Sequence, residues 1–230
     1  MGPGLECGQR EHKTRGVALL CSLHHVGVSL GGRPVLREIE LDLAPGQILG
    51  VTGPNGSGKT TLIRTLATLV RVDRGEGHVL GADLRTDQIY QVRPEIGMMG
   101  HLPTVIGELT MTENLEHVAR LAGIDRERAA HALDVVGLAG AGAMRIDTAS
   151  HGMIRRMEVA RLLLTRPRLL LLDEATHGLD PAARELVDAL ITLTVDRGGA
   201  AVLVSHDHDR LAEVSHGTLR LAMGSVEASI

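Results

Sequence analysis

Phenylalanine and tryptophan are absent from this 230-residue chain, and Tyr90 is its only tyrosine. A core must therefore be assembled from Leu, Val, Ile, Ala and Met alone. Lysine is almost as scarce: Lys13 and Lys59 are the two lysines among 24 basic residues. Cys7 and Cys21 form no CxxC pair and no disulfide framework, so nothing points to an oxidising compartment. A basic excess is missing too: 28 acidic against 24 basic residues give a net charge of -4, which argues against a nucleic-acid partner. No apolar run approaches the roughly 18–20 residues that cross a bilayer. The longest, Leu169–Leu172 and Ala200–Val204, are strand-sized. Residues 1–16 are polar and Gly-rich and lack the apolar stretch of a secretory signal, so they are expected to form a flexible leader. The expectation is a soluble chain that is free to dock onto a membrane partner.

What is present reads as an α/β frame. Between Val17 and Leu43 short apolar runs alternate with polar residues around Gly31-Gly32, the pattern of antiparallel strands. Ile48–Thr52 is a short apolar strand entering a glycine-rich turn, and Thr60–Val70 carries Leu62, Leu66, Leu69 and Val70 at helical spacing. Thr110 and Glu113 are spaced as a capping box before a helix that ends at Gly123. Asp125 opens a second helix reaching Gly137, and Ser150 precedes a third through Leu164. Residues from about 105 to 165 thus form an expected helical subdomain. The run Leu169–Leu172 suits a strand buried on both faces. Asp180-Pro181 opens a helix through Leu190, Gly198-Gly199 closes it, and Ala201–Ser205 is a further buried strand.

Two stretches carry chemistry. Gly53-Pro54-Asn55-Gly56-Ser57-Gly58-Lys59-Thr60 fits GxxxxGK[ST] at every fixed position, after a strand and at a helix start. Such a loop turns backbone N–H groups toward phosphate oxygens, and the helix N-terminus favours negative charge. Lys59 is placed for the β- and γ-phosphates, the Thr60 hydroxyl for Mg²⁺, and Thr61 for the same phosphate cluster. One of two lysines standing at this one position makes a chance match improbable. Leu169–Leu172 then delivers Asp173-Glu174 at a strand's C-terminal end, where such sheets bind ligands. Asp173 would hold Mg²⁺ and Glu174 would polarise an attacking water.

In chain order these are followed or accompanied by Ser150-His151-Gly152-Met153, Gly178-Leu179-Asp180 and Val204-Ser205-His206-Asp207. The ordered set resembles the nucleotide-binding subunit of an ABC transporter over about residues 17–228. The resemblance implies a P-loop NTPase fold with a mostly parallel sheet, an N-terminal antiparallel β subdomain and an inserted helical subdomain. It implies ATP hydrolysis with Mg²⁺, head-to-tail pairing with a second cassette, and a separate membrane-spanning partner. It further implies a cytoplasmic chain, peripheral at the inner face of the plasma membrane. By position, Ser150, His151, Gly152 and Met153 are the signature that meets the γ-phosphate bound by the partner. Asp180 lies in a coupling loop, and His206 is the switch histidine beside Glu174.

Three positions depart from the family pattern. Leu30 stands where an aromatic residue usually stacks on adenine, His101 where a glutamine usually senses γ-phosphate and Mg²⁺, and His151 and Met153 replace a glycine and a glutamine of the signature. Gly100-His101-Leu102-Pro103 and Ser-His-Gly-Met resemble bacterial export-type cassettes and the haem-exporter ATPase of cytochrome c biogenesis. Two rival readings are a soluble ABC-type ATPase acting on ribosomes or DNA, and a non-hydrolysing regulatory module. Neither a second cassette nor a coiled-coil insert is visible, and Lys59, Thr60, Asp173, Glu174 and His206 are all in place. His24-His25 and His206-Asp207-His208 lack a supporting ligand cluster and read as exposed polar residues rather than metal ligands. For Arg155 and Arg156, after the signature, two readings stay open: attraction of phosphate, or a solvated helix face. His177 joins His101, His151 and His206 as a fourth histidine on a motif position.

Overall fold

The computed structural model describes residues 18–176 and 179–229, and the leader at 1–16, His177 and Gly178 lie outside them. The chain opens with β1 (Cys21–Leu30) and β2 (Arg33–Leu43), joined at Gly31-Gly32, both with positive φ. Next come β3 (Ile48–Thr52), α1 (Lys59–Leu66), β4 (Arg74–Val79), β5 (Ala82–Asp83), a short α2 (Ile89–Val92) and β6 (Ile96–Met99). Three helices follow: α3 (Met111–Leu121), α4 (Glu127–Val135) and α5 (His151–Thr165). The chain closes with β7 (Leu169–Asp173), α6 (Pro181–Asp196), β8 (Ala200–Val204), α7 (His208–Val214), β9 (Gly217–Ala222) and β10 (Ser225–Ser229).

Two sheets result. The first is antiparallel, in the order β2-β1-β4-β5. The second runs β10-β9-β3-β8-β7-β6 and is parallel except for β10, which pairs antiparallel with β9. The leucine run explains its own position in that sheet. Side chains of a strand alternate between faces, so a strand covered on both sides needs apolar residues throughout. Leu170 and Leu172 enter one core with the residues of α3–α6, while Leu169 and Leu171 enter the other with α1 and the antiparallel sheet. In β8, Ala201 and Leu203 face the first core, and Ala200, Val202 and Val204 the second. Aliphatic residues and Met99, Met111 and Met157 fill the volume that aromatic rings usually take.

The helices start where their caps say. Thr110 and Glu113 form the reciprocal capping box of α3, and the Ser150 and Asp180 side chains accept from the Met153 and Ala183 N–H groups at the starts of α5 and α6. Two expected boundaries move. The first helix stops at Leu66 rather than Val70, because Thr68 adopts a left-handed conformation (φ 60), and Leu69 is left 59% exposed instead of packed. The helix opened by Asp180-Pro181 continues past Leu190 to Asp196, with Ile191 and Thr194 buried, before Gly198 turns the chain at φ 77.

At Gly97 in β6 an added Cβ would lie 2.6 Å from Pro167 Cγ and 2.7 Å from Leu162 Cδ2. Overpacking of this kind costs about 1–3 kcal/mol. Gly97→Ala is accordingly expected to lower the urea midpoint by that amount of stability with an unchanged m-value. A midpoint equal to the parent's would mean that α5 is not seated on β6 this closely.

Candidate functional site

The C-terminal ends of β3, β7 and β8 converge on one cleft of about 290 Å³. It is lined by Asn55, Gly56, Gly58, Lys59, Thr60 and Thr61 from the glycine-rich loop, by Asp173, Glu174 and His206, and by Val35. Gly53, Gly56 and Gly58 have φ of 142, 77 and 104, values that side chains other than glycine's rarely accept. Ser57 donates its N–H to Pro54 O at 3.2 Å, closing the turn. Lys59 is buried, and its Nζ donates to Gly53 O at 2.7 Å and Pro54 O at 3.0 Å. The ammonium is thus held over the loop, a few ångströms from the surface it would share with phosphate.

Opposite the loop, Asp173 is buried at the end of β7. Glu174 follows at φ 54, an unusual conformation for a glutamate, while its N–H donates to Val204 O at 3.0 Å. Strain of this type persists where neighbouring structure enforces it, often at functional sites. Its Oε1 lies 3.4 Å from His206 Nε2, yet is buried without a hydrogen bond, as is Ser57 Oγ. Buried polar atoms left in this state point to a missing partner: a ligand oxygen for the Ser57 hydroxyl, and a proton donor such as water for the Glu174 carboxylate. Thr60 and Asp173 together offer a hydroxyl and a carboxylate, hard oxygen donors that fit Mg²⁺. Among the described residues no group of three or more His, Cys, Asp or Glu side chains could hold a metal on its own, so such an ion would draw its other ligands from phosphate and water. His24 and His25, set aside as metal ligands, lie on the exposed face of the antiparallel sheet, with ring nitrogens 3.2 Å from Glu40 Oε2 and 3.0 Å from Glu38 Oε2.

A second, larger cleft of about 900 Å³ adjoins the first, since Thr60 and Asp173 line both. Its other walls include Leu69, Val70, Met98, His101 and Leu102. His101 therefore shares a space with the two candidate metal ligands. Leu102 at 80% exposure and Leu69 are apolar side chains at its edge.

Other expected site residues stand elsewhere. Ser150, His151, Gly152 and Met153 line neither cleft; they form the cap and first turn of α5. Asp180 caps α6 and receives both bonds of Arg156 Nη2 at 3.1 and 3.2 Å. Its carboxyl is held below the ordinary range, first by the Ala183 N–H and then by Arg156. Leu30 ends β1 half-exposed and does not line the phosphate cleft, whereas Val35 does, a residue that no sequence signal marked. Nor is Arg155 on a solvated face: it is buried against Glu158.

Comparison with known proteins identifies the family. The family model for ABC transporters matches residues 36–177, more than half of the chain. The chain belongs to the ABC transporter ATP-binding family. The cassette is 40% identical over 197 residues to the daunorubicin/doxorubicin resistance ATP-binding protein of Streptomyces peucetius, covering 81% of this chain and 59% of that protein. It is 38% identical over 178 residues to the cytochrome c biogenesis ATP-binding export protein of Nitrosomonas europaea, covering 76% and 83% respectively. A dimeric bacterial ABC transporter cassette superposes with a TM-score of 0.81 at 25% identity, over 91% of this chain and 97% of that one. The chain thus spans less than two thirds of the drug-resistance relative's length. The expected fold class, with its antiparallel sheet, parallel sheet and helical insertion, is the one observed.

Replacing Lys59 by Ala removes the one ammonium at the cleft but no core packing. ATP binding, followed by calorimetry or a fluorescent analogue, is expected to fall below detection while the far-ultraviolet spectrum and melting transition are kept. Unchanged affinity would show that this loop does not hold the phosphates. Base recognition gives a separate test at Leu30. Stacking on a base contributes about 1–3 kcal/mol where it occurs. Leu30→Tyr is expected to tighten ATP binding by about tenfold, equivalent to roughly 1.4 kcal/mol, and no tightening would mean that another group covers the base.

Proposed function

We propose that the cassette hydrolyses ATP as one half of a head-to-tail dimer and thereby powers export through a separate membrane-spanning partner. The observation that carries this reading is the convergence of Lys59, Thr60, Asp173, Glu174 and His206 on one cleft. In it, Lys59 and the loop N–H groups bind the β- and γ-phosphates, and Glu174 takes the proton of the water that attacks phosphorus. The bond from the γ-phosphorus to its bridging oxygen breaks, leaving ADP and inorganic phosphate. His206, 3.4 Å from Glu174, orients that water and donates to the transferred group. Mg²⁺, held by Thr60 and Asp173, would supply charge neutralisation at the phosphates.

Pairing is supported from the signature side. A Cβ on Gly152 would meet nothing within 4 Å, and its φ is not in the left-handed region. Alanine at a helical position is favoured over glycine by about 0.5–1 kcal/mol, so nothing within the chain accounts for the glycine. Close approach of a nucleotide bound by a second cassette does account for it. The Ser150–Met153 turn, away from the clefts at a helix N-terminus, is suited to that phosphate. The relative assembled as a dimer and the two relatives named for resistance and export are consistent with the reading. We assign the substrate class to small molecules: the resistance relative's name points to drugs, and haem is suggested by the resemblance of the stretches 100–103 and 150–153 to the haem-exporter type. Exposed Leu69 and Leu102 beside the larger cleft supply an apolar surface for the membrane subunit. No helix among the described residues is long and apolar enough to cross a membrane, which leaves the membrane path to that subunit and the cassette at its inner face.

Glu174→Gln is expected to bind ATP as tightly as the parent but to lower turnover by at least about 100-fold, the scale of a lost general base, and to form a dimer with Mg-ATP on size exclusion. Gly152→Ala in the same background is expected to melt no lower than its parent and to stay monomeric. A Gly152→Ala chain that still dimerises with ATP would sink the proposed role of the signature, and a Glu174→Gln chain with parental turnover would sink the catalytic assignment.

A further inference from the structure

Between β6 and α3 the stretch from Gly100 to Leu109 contains neither helix nor strand. Backbone polar groups in such a segment must find partners outside the regular ladders. For Ile106 and Leu109, Asn114 of α3 supplies them, and for Gly100, His101 and Thr104 helix α5 does. Arg155 Nη1 donates to Gly100 O at 2.6 Å and to Glu158 Oε2 at 3.0 Å, and Arg155 Nη2 donates to His101 O at 3.3 Å. Glu158 Oε1 accepts the Thr104 N–H at 3.0 Å and the Thr104 hydroxyl at 3.2 Å. One turn on, Arg161 Nη2 donates to Met98 O at 2.7 Å.

The Arg155–Glu158 pair has side-chain exposures of 3% and 0%. Removing two charges from water costs several kcal/mol each, and apolar residues of equal volume often serve stability as well or better. Stability is therefore a poor reason for this pair. What it provides is a fixed placement of four backbone and side-chain groups between Gly100 and Thr104. That stretch contains His101, which lines the large cleft with Thr60 and Asp173. The same helix begins at the Ser150 cap, and Arg155 lies three residues beyond Gly152.

We infer that Arg155 and Glu158 are positioning residues that set His101 against the Thr60–Asp173 side of the nucleotide site and tie that setting to the signature helix. The inference rests on the ATPase reading above. His101 acts at the site; the pair acts only through it, by holding the carbonyls at positions 100 and 101 and the amide at 104. A movement of α5 when its signature engages a partner's nucleotide then carries the His101 backbone with it, because the grips are on main-chain atoms.

The test is a double-mutant cycle on the full chain with Mg-ATP. Arg155→Lys keeps the buried positive charge, yet a single ammonium cannot reproduce the fork that reaches Glu158, Gly100 O and His101 O together. It is expected to melt within about 4 °C of the parent, to keep the KM for ATP within about twofold, and to lower kcat about tenfold. In a His101→Ala background the same substitution is expected to change kcat by less than about twofold, since the group being positioned is gone. If Arg155→Lys fails to fold, the double variant Arg155→Met/Glu158→Met, which removes both buried charges at once, carries the same comparison. A parental kcat in the single variant, an equal tenfold loss in both backgrounds, or parental turnover by His101→Ala alone would overturn the inference. A parent chain that turns over ATP no faster than Glu174→Gln would instead overturn the ATPase reading on which it rests.

Discussion

Everything at this site depends on a stretch of main chain that no side chain may crowd. The phosphate loop lies against the β9–β10 turn and the start of β2 so closely that a Cβ at Gly53 would fall 2.1 Å from Leu221 O. One at Gly224, from the other side, would fall 2.1 Å from Val35 O. The contact is stitched by hydrogen bonds: Gly224 N donates to Ser57 O at 3.0 Å, and Arg37 N to Gly224 O at 2.7 Å. Because the loop is fixed by the sheets behind it, its N–H groups are set in place before any ligand arrives, and little ordering is left to binding. The glycine outside the motif, Gly224 in the β9–β10 turn, thus belongs to the same device as those inside it.

That dependence explains which parts of the molecule could be read from the chain alone. Asp173, Glu174 and His206 were legible because each ends a strand whose apolar run is visible, and parallel strands bring their C-terminal ends together. The capping residues Thr110, Ser150 and Asp180 were legible because a cap is a local hydrogen bond. The strands β4 and β5 gave no such signal: Arg74–Val79 reads RGEGHV, and its place in the antiparallel sheet comes from pairing with β1 across some fifty residues. Leu69 matched the helical spacing, and only the left-handed turn at Thr68 takes it out of the core. Leu30 and Val35 show the same limit, since which of two neighbours lines a cleft is decided by side-chain direction on a twisted hairpin. Neither open reading of Arg155, phosphate attraction or a solvated face, includes its burial, for a related reason. Its partners are the Gly100 and His101 carbonyls, more than fifty residues away, which carry no trace in the identity of those residues.

The cleft is complete for binding and incomplete for the signature. Loop, carboxylates and His206 meet within one chain, while the Ser150–Met153 turn lines neither cleft. Under the proposed pairing a second cassette supplies the missing part, and the arginines of α5 link the signature helix to the loop that carries His101. Arg156 reaches the Asp180 carboxylate and Val136 O; Arg155 and Arg161 reach the strand end and loop that carry His101. One rigid helix therefore holds both segments that flank the carboxylate strand β7. Any displacement at its N-terminus is shared by both.

The unusual basic composition follows from the same geometry. Arginine grips main-chain oxygens throughout: Arg155 at Gly100 and His101, Arg156 at Val136, Arg161 at Met98, Arg93 at Thr68. A planar fork can serve two or three acceptors from a fixed plane, which suits segments that lack ladder partners. Lys59 is the exception, and the loop explains why. Its acceptors, Gly53 O and Pro54 O, lie 2.7 and 3.0 Å from a single nitrogen inside a turn whose glycines exclude other side chains. A compact ammonium with three rotatable donors fits that space and can turn toward a phosphate oxygen without leaving it. A guanidinium is wider and directs its N–H groups in one plane, so it cannot. Among the described residues, where arginine otherwise answers each need for a cation, the cleft itself selects the lysine.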